Sequence, residues 1–250
     1  MSREQIIAGN WKMYKTTKEA VDFIENLKSK VGSSLASIYL AVPFTMISET
    51  AKAAEGTNII IGAQNMNDAT EGAFTGEIAG IMLKDAGAEF VLLGHSERRH
   101  IFKESNEFIQ KKLERALKDD LQPILCIGET QEERDSEKTE EVLETQIKTA
   151  LKNVSEKDME KVVVAYEPVW AIGTGKTATP EIAEKAHAYI RKVLKELYGK
   201  TISDKISILY GGSVKPANIE ALMNEKNIDG ALIGGASLDP DTFAEVINKC

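Results

Sequence analysis

Residues 162–167 read VVVAYE, an apolar run that stops abruptly at Glu167. A short run that is rich in β-branched residues, with no polar residue at alternate positions, is typical of a strand buried on both faces of a parallel sheet. Similar runs recur about every 32 residues along the chain, a spacing that suits one strand, one helix and two loops. There are eight of them, at residues 6–8, 38–42, 59–61, 90–93, 124–127, 162–165, 206–209 and 231–233.

Between these runs the apolar residues follow a helical period. Examples are Val21, Ile24, Leu27 and Val31; Ile109, Leu113 and Ala116; and Ile182, Ala186, Tyr189 and Val193. Helix starts are indicated by a capping box at residues 16–19 and by a capping residue before proline at Thr179 and Asp239. Strand and helix therefore alternate strictly, and eight parallel units with right-handed crossovers close most simply into a (β/α)8 barrel. A doubly wound open sheet is the alternative.

The chain shows no division into domains. No segment rich in Pro, Gly and Ser interrupts residues 1–250, so we expect one α/β domain. The 39 acidic residues outnumber the 31 basic ones, giving a net charge of -8, and no long Lys/Arg tract offsets this excess. Nucleic acid and anionic membranes are therefore poor partners. No apolar stretch has the length of a signal peptide or of a membrane span, so a soluble cytoplasmic protein is expected.

Cysteine and histidine usage gives no sign of a metal site. The two cysteines, Cys126 and Cys250, and the three histidines lack metal-ligand spacing, and neither a metal nor another cofactor is expected.

Residues 173–178, GTGKTA, look at first like a nucleotide-binding loop. The phosphate-binding loop of nucleotide enzymes needs a glycine where this chain has Trp170, and the dinucleotide fingerprint must begin where a strand ends. Here the strand ends at Tyr166, several residues too early. The glycines therefore belong to a long loop that follows Glu167.

Polar residues and two glycine pairs follow several of the predicted strands, at the end of a barrel where active sites are built. They are Asn10 and Lys12 after the first strand, His95, Ser96 and Glu97 after the fourth, Glu167 after the sixth, Gly211, Gly212 and Ser213 after the seventh, and Gly234 and Gly235 after the eighth. The glycine pairs could bind phosphate through backbone amides, although a single pair could equally make only a tight turn. Together they indicate a phosphorylated ligand.

The charged groups at this end fit proton transfer beside a carbonyl. Glu167 would be the base, although most loop glutamates are merely exposed acids. His95 would donate a proton as a neutral ring if residues 96–99 are helical, because the helix dipole disfavours imidazolium; an isolated histidine is more often packed or on the surface. Lys12, oriented by Asn10, would stabilise an oxyanion, or could be a surface lysine beside a core Trp11. With a phosphate grip, these groups indicate aldose-ketose isomerisation of a small sugar phosphate through an enediolate.

The chain resembles the triosephosphate isomerase family along its whole length. The motifs are AGNWKMY at 8–14, GHSERR at 94–99, AYEPVWAIGTGKTAT at 165–179, YGGSV at 210–214 and GALIGGASL at 230–238. The resemblance implies a TIM barrel without cofactors that interconverts dihydroxyacetone phosphate and D-glyceraldehyde 3-phosphate in glycolysis and gluconeogenesis. It assigns catalytic roles to Asn10, Lys12, His95 and Glu167, with support from Ser96 and Glu97. It assigns phosphate binding to Gly173, Ser213, Gly234 and Gly235.

The resemblance also implies a mobile lid over residues 168–177. Its hinges would be residues 168–170 and 176–178, and the Tyr210 hydroxyl would latch it to the backbone near Ala178.

A long loop over residues 65–79 predicts a homodimer. Phe74 lies near its tip, and an exposed Phe on a projecting loop usually contacts a partner surface. In the resembling family the matching loop inserts beside the neighbouring active site, which would place Thr75 near Asn10 and His95. Two other functions stay open from the residues alone: an aldolase that forms a Schiff base through Lys12, and a phosphate-binding barrel without catalysis.

Overall fold

The computed structural model describes residues 3–31, 36–173 and 177–250. Within these ranges eight parallel strands pair in sequence order and the last pairs with the first, so the barrel closes. The strands are β1 Ile6–Asn10, β2 Ser37–Val42, β3 Ile59–Ala63, β4 Phe90–Leu93, β5 Gln122–Ile127, β6 Val163–Tyr166, β7 Ile208–Tyr210 and β8 Gly230–Ile233. The predicted (β/α)8 barrel is confirmed, and closure excludes the open doubly wound sheet.

Helices connect the strands on the outside. In the described ranges the α-helices are α1 Thr17–Lys28, α2 Ile47–Ala54, α3 Gly80–Asp85, α4 Ser96–His100, α5 Asn106–Lys118, α6 Gln131–Asp135, α7 Thr139–Ala150, α8 Glu156–Met159, α9 Pro180–Ser203, α10 Ile219–Met223 and α11 Pro240–Asn248. Short 3-10 turns span Phe44–Met46, Val169–Ala171 and Gly235–Ser237.

The predicted helix starts are confirmed. Thr16 and Glu19 form the reciprocal capping box of α1, and Thr179 and Asp239 cap α9 and α11 ahead of a proline. The predicted helical period, which included Val31, extended three residues too far, since α1 ends at Lys28.

The core has two layers because each strand is buried on both faces. Residues such as Ile6 and Ala8 point into the barrel, whereas Ile7 packs outwards against the helices. No helix among the described residues is both long and apolar enough to span a bilayer.

The parallel direction of the strands places their carboxyl ends at one mouth. The first strand runs two residues further than its apolar run indicated, so that Asn10 is its last residue, and β7 begins two residues later, at Ile208. The polar residues predicted from the strand ends therefore meet at this mouth.

Candidate active site

Glu167 lies immediately after β6 with its carboxylate inside the mouth. Its side chain is nearly buried, at 3% exposed, with Oε1 3.0 Å from Nε2 of His95. The other oxygen, Oε2, accepts a hydrogen bond from the backbone amide of Ser96 at 2.9 Å. Through these two contacts, Glu167 is joined to two other predicted site residues, His95 and Ser96.

The position of His95 determines which ring nitrogen can donate. His95 is the N-cap of α4, and its Nδ1 accepts a hydrogen bond from the Glu97 amide at 3.3 Å. Nδ1 is also 3.5 Å from a carboxylate oxygen of Glu97, a contact that would be favourable only with a proton on Nδ1. Because a backbone N–H can only donate, Nδ1 must offer its lone pair, and the proton of the neutral ring lies on Nε2. Nε2–H therefore points towards Glu167.

Lys12 is held at the mouth by its backbone and by its side chain. Its φ of 49° is in the left-handed region, which costs about 1–2 kcal/mol for a residue with a Cβ. Asn10 Oδ1 accepts from the Lys12 amide at 3.0 Å, and Gln64 Nε2 donates to the Lys12 carbonyl at 2.9 Å. The Lys12 Nζ contacts Glu97 Oε1 at 2.7 Å. A positive charge is thereby fixed beside His95, with Gln64 as a support that the sequence did not single out.

A cavity of about 290 Å³ contains the predicted phosphate-binding residues together with the charged ones. Its lining includes Asn10, Lys12, His95, Glu167, Gly173, Ser213, Gly234 and Gly235. A Cβ built on Gly235 would contact nothing within 4 Å, so its backbone faces open space. Thr174, Gly175 and Lys176 of the predicted lid lie outside the described residues.

Two glycines make room for Glu167. A Cβ on Gly128, just beyond β5, would lie 1.8 Å from the carbonyl oxygen of Glu167. A Cβ on Gly211, just beyond β7, would lie 2.8 Å from its Cγ. Glu167 is therefore packed between two strand exits that carry no side chain.

The first hinge predicted for the lid is held by a buried carboxylate. Glu129 is fully buried and accepts from the Tyr166 hydroxyl at 3.1 Å and from Trp170 Nε1 at 2.9 Å. Arg134 contacts the same carboxylate at 3.3 Å and stacks over the Trp170 ring at 4.5 Å. Glu129 is not among the site residues predicted from the sequence. It lies just after β5, so a search for polar residues after each strand could have found it.

The second predicted hinge faces Tyr210. Burial raises the pKa of Tyr210 to about 12, and the adjacent backbone of Ala178 acts in the opposite direction. Among the described residues the hydroxyl nevertheless has no partner in good hydrogen-bond geometry. Tyr210 and Ala178 are thus neighbours, as the latch requires, without a well-formed bond.

Two negative observations concern the described part of the chain. No group of His, Cys, Asp and Glu there has the arrangement of a metal site.

A larger cavity, about 370 Å³, lies on the outer surface along α7 and α9 and is lined by none of the predicted site residues.

The sequence matches known proteins from end to end. The family model described as triosephosphate isomerase matches residues 5–250. The triosephosphate isomerase of Protochlamydia amoebophila is 51% identical over 98% of this chain and 93% of its own. Those of Fusobacterium nucleatum and Caldanaerobacter subterraneus are each 52% identical over 98% of this chain, and over 98% and 99% of their own lengths. The chain belongs to the triosephosphate isomerase family.

Proposed function

We propose that this protein interconverts dihydroxyacetone phosphate and D-glyceraldehyde 3-phosphate, as an aldose-ketose isomerase of glycolysis and gluconeogenesis. Membership of the family supports this function. The observation that carries it is the buried carboxylate of Glu167 at 3.0 Å from Nε2 of His95, inside a cavity that also holds Lys12. A base, a proton donor and a cation are the groups that an enediolate mechanism requires.

The reaction begins with proton abstraction. Glu167 removes a proton from the carbon beside the carbonyl, and the electron pair of that C–H bond moves to form the enediolate. His95 donates from Nε2–H to the substrate oxygens, and Lys12 stabilises the negative charge that develops there. His95 Nε2 gives its proton to the former carbonyl oxygen and takes up the proton of the neighbouring hydroxyl. Glu167 then returns its proton to the former carbonyl carbon, which completes the exchange of aldehyde and ketone with no net change in atoms.

The contact between Glu167 and His95 also has a consequence for binding. In the free protein the Glu167 carboxylate and His95 Nε2 contact each other. The substrate must therefore enter between them, with its carbon against Glu167 and its oxygens against His95. Asn10 supports the site by holding the backbone of Lys12 in its left-handed conformation.

The phosphate would bind on the far side of the same cavity. Gly173, Ser213, Gly234 and Gly235 are proposed to hold it, largely through backbone amides. Residues 168–177 are proposed to close over it as a lid. Glu129 would hold the first hinge, and the Tyr210 hydroxyl would bind the closed lid at Ala178, in the second hinge. Closure would exclude water from the enediolate. A glycolytic role implies a cytoplasmic location.

A homodimer is part of the proposal. Several large apolar side chains are exposed in the described chain, among them Met13 at 94%, Phe102 at 62% and Phe74 at 51%. Met13 and Phe102 line a second cavity, of about 250 Å³, that also reaches Lys12 and His95. A second copy offers a matching occupant in its loop 65–79 with Phe74 near the tip, which would bring Thr75 beside Asn10 and His95.

A coupled assay tests the function directly. Turnover from each triose phosphate to the other is expected, and Glu167→Gln should lower kcat by about 10²- to 10⁴-fold because it removes the base. The inhibition constant of inorganic phosphate should stay unchanged, since the phosphate site lies elsewhere. Glu196→Gln, at an exposed position on α9, is the matched control and should behave as the parent.

Two results would reject the proposal. One is near-normal kcat in Glu167→Gln. The other is a covalent adduct at Lys12 after borohydride reduction with dihydroxyacetone phosphate, because such an adduct indicates Schiff-base chemistry.

A further inference from the structure

The exit of β5 carries backbone groups that have no strand neighbour on one side. In a parallel sheet the amide and carbonyl of one residue face the same neighbouring strand, and successive residues face opposite neighbours. Ile127 and Glu129 face β6, because their carbonyls accept from the amides of Glu167 at 2.7 Å and Val169 at 3.0 Å. Gly128, between them, must therefore face β4.

On that side β4 has already ended. Its last residue, Leu93, is in register with Leu125, three residues before Gly128. The chain then turns away into the loop that carries His95. The amide and carbonyl of Gly128 would be left without partners in a buried position, which is costly.

Gln146 takes the place of the missing strand. It lies on α7 and is buried, and its Oε1 accepts from the Gly128 amide at 2.8 Å. Its Nε2 donates to the Gly128 carbonyl at 3.2 Å. One primary amide side chain thus satisfies both backbone groups, as a neighbouring strand would.

Gly128, which Gln146 holds by two hydrogen bonds, packs directly against the backbone of Glu167, the proposed base. A Cβ on Gly128 would lie 1.8 Å from the Glu167 carbonyl oxygen and 2.6 Å from its carbonyl carbon, so the two backbones are in direct contact. The Ile127 and Glu129 carbonyls, on either side of Gly128, bind the amides of Glu167 and Val169. Any displacement of Gly128 is therefore transmitted to the backbone of Glu167 and to the first hinge.

We propose that Gln146 is a positioning residue for Glu167, acting through Gly128. This inference rests on the proposed isomerase function only for the expected loss of kcat. Gln146 contacts neither the cavity nor the reacting groups. Its two hydrogen bonds fix the β5 exit on which the base and the start of the lid are built.

The test compares Gln146→Met, which keeps the length of the side chain and loses both hydrogen bonds, with Ile147→Ala. Ile147 is the next residue of the same helix and is also buried, so its truncation destabilises the protein but leaves both hydrogen bonds to Gly128 in place. Per folded site, Gln146→Met should lower kcat about 10- to 100-fold, because a displacement of the base by about 1 Å has effects of that size. The inhibition constant of inorganic phosphate should change less than about twofold, and Ile147→Ala should keep the parent kcat.

Hydrogen exchange at the Glu167 amide gives a readout that is independent of the reaction. Its bond to Ile127 should open more often in Gln146→Met than in Ile147→Ala. Gln146→Ala removes the same two bonds and replaces Gln146→Met if the latter does not fold.

Three outcomes overturn the proposal: unchanged kcat in the Gln146 variants, equal losses in the Ile147 control, or unchanged exchange at Glu167. A parent protein that does not isomerise triose phosphates would reject the proposed function instead, and the exchange measurement would still decide the role of Gln146.

Discussion

Single residues with no side chain determine how Glu167 sits in the mouth. Gly128 adjoins its backbone and Gly211 adjoins its Cγ, whereas Gly235 faces open space in the cavity. A methyl group at the first two positions would displace Glu167, the proposed base. A methyl group at the third would reduce the room for the proposed phosphate site.

Gly211→Ala and Gly235→Ala should therefore affect different kinetic constants. A Cβ at Gly211 would lie 2.8 Å from Glu167 Cγ, which must shift, so kcat should fall about 10- to 100-fold with little change in KM. Gly235→Ala should raise KM and leave kcat closer to that of the parent. Steady-state kinetics of both variants checks this, and equal effects on the two constants in both proteins would contradict it.

Functional residues could be predicted from the sequence only where they lie at or next to a predicted strand end. Asn10 is the last residue of a strand, Lys12, His95 and Glu167 lie just after strand ends, and the mouth of the barrel brings the four together. Gln146 gave no such signal, because a polar residue on an amphipathic helix looks solvent-exposed in sequence. Its partner depends on where β4 stops relative to β5, and this register emerges only on folding.

At the scale of elements, the apolar runs located all eight strands but not all of their ends. Asn10 is polar and still belongs to β1, whereas residues 206 and 207 lie outside β7. Strand ends depend on whether a neighbouring strand is still present to accept hydrogen bonds, which hydrophobicity does not encode. The short α4 was predicted only conditionally, and it places His95 at a helix start, as the neutral-ring argument requires.

The lid can be tested through Tyr210, whose buried hydroxyl lies beside Ala178 and forms no well-formed hydrogen bond with any described residue. Tyr210→Phe should cost little stability for that reason. If the hydroxyl latches the closed lid, its loss should lower isomerisation about 2- to 10-fold, the equivalent of one hydrogen bond. More of the enediolate should then expel its phosphate, and product analysis should show more methylglyoxal and inorganic phosphate.

Tyr198→Phe is the control for the lid experiment. The Tyr198 hydroxyl donates to the Leu151 carbonyl at 2.9 Å, away from the lid. This variant should lose stability and keep the product ratio of the parent. An unchanged product ratio in Tyr210→Phe as well would mean that the latch does not contribute.

For the molecule as a whole, one buried histidine makes stability depend on pH. His187 is fully buried beside the rings of Tyr166 and Tyr210, with Nδ1 3.2 Å from the Asn227 carbonyl. Burial, together with nearby Arg191, lowers its pKa from 6.5 to about 3, although the hydrogen bond with the Asn227 backbone acts in the opposite direction. Between these pH values the unfolded chain binds a proton that the folded protein does not.

The stability contributed by neutral His187 is therefore complete above pH 6.5 and is lost as the pH falls towards 3. Within this window its share of the slope approaches one proton, about 1.4 kcal/mol per pH unit. Urea unfolding between pH 7 and 4 should show a shallower decline in the free energy of unfolding for His187→Gln than for the parent. Parallel curves for the two proteins would exclude His187 as the titrating group.

Assembly is the remaining property of the whole molecule, and Phe74 tests it. An apolar ring that enters a cavity between Met13 and Phe102 of a second copy would be buried there, and a carboxylate at the same place would lose hydration against these two apolar side chains. Phe74→Asp should shift sedimentation from dimer towards monomer. Activity should fall with it, because Thr75 would no longer lie beside Asn10 and His95.

Leu197→Asp makes the same kind of change at an exposed position outside that cavity and should remain dimeric and active. An active monomer at nanomolar to micromolar concentrations would contradict the proposed dimer, as would Phe74→Asp with unchanged mass and activity.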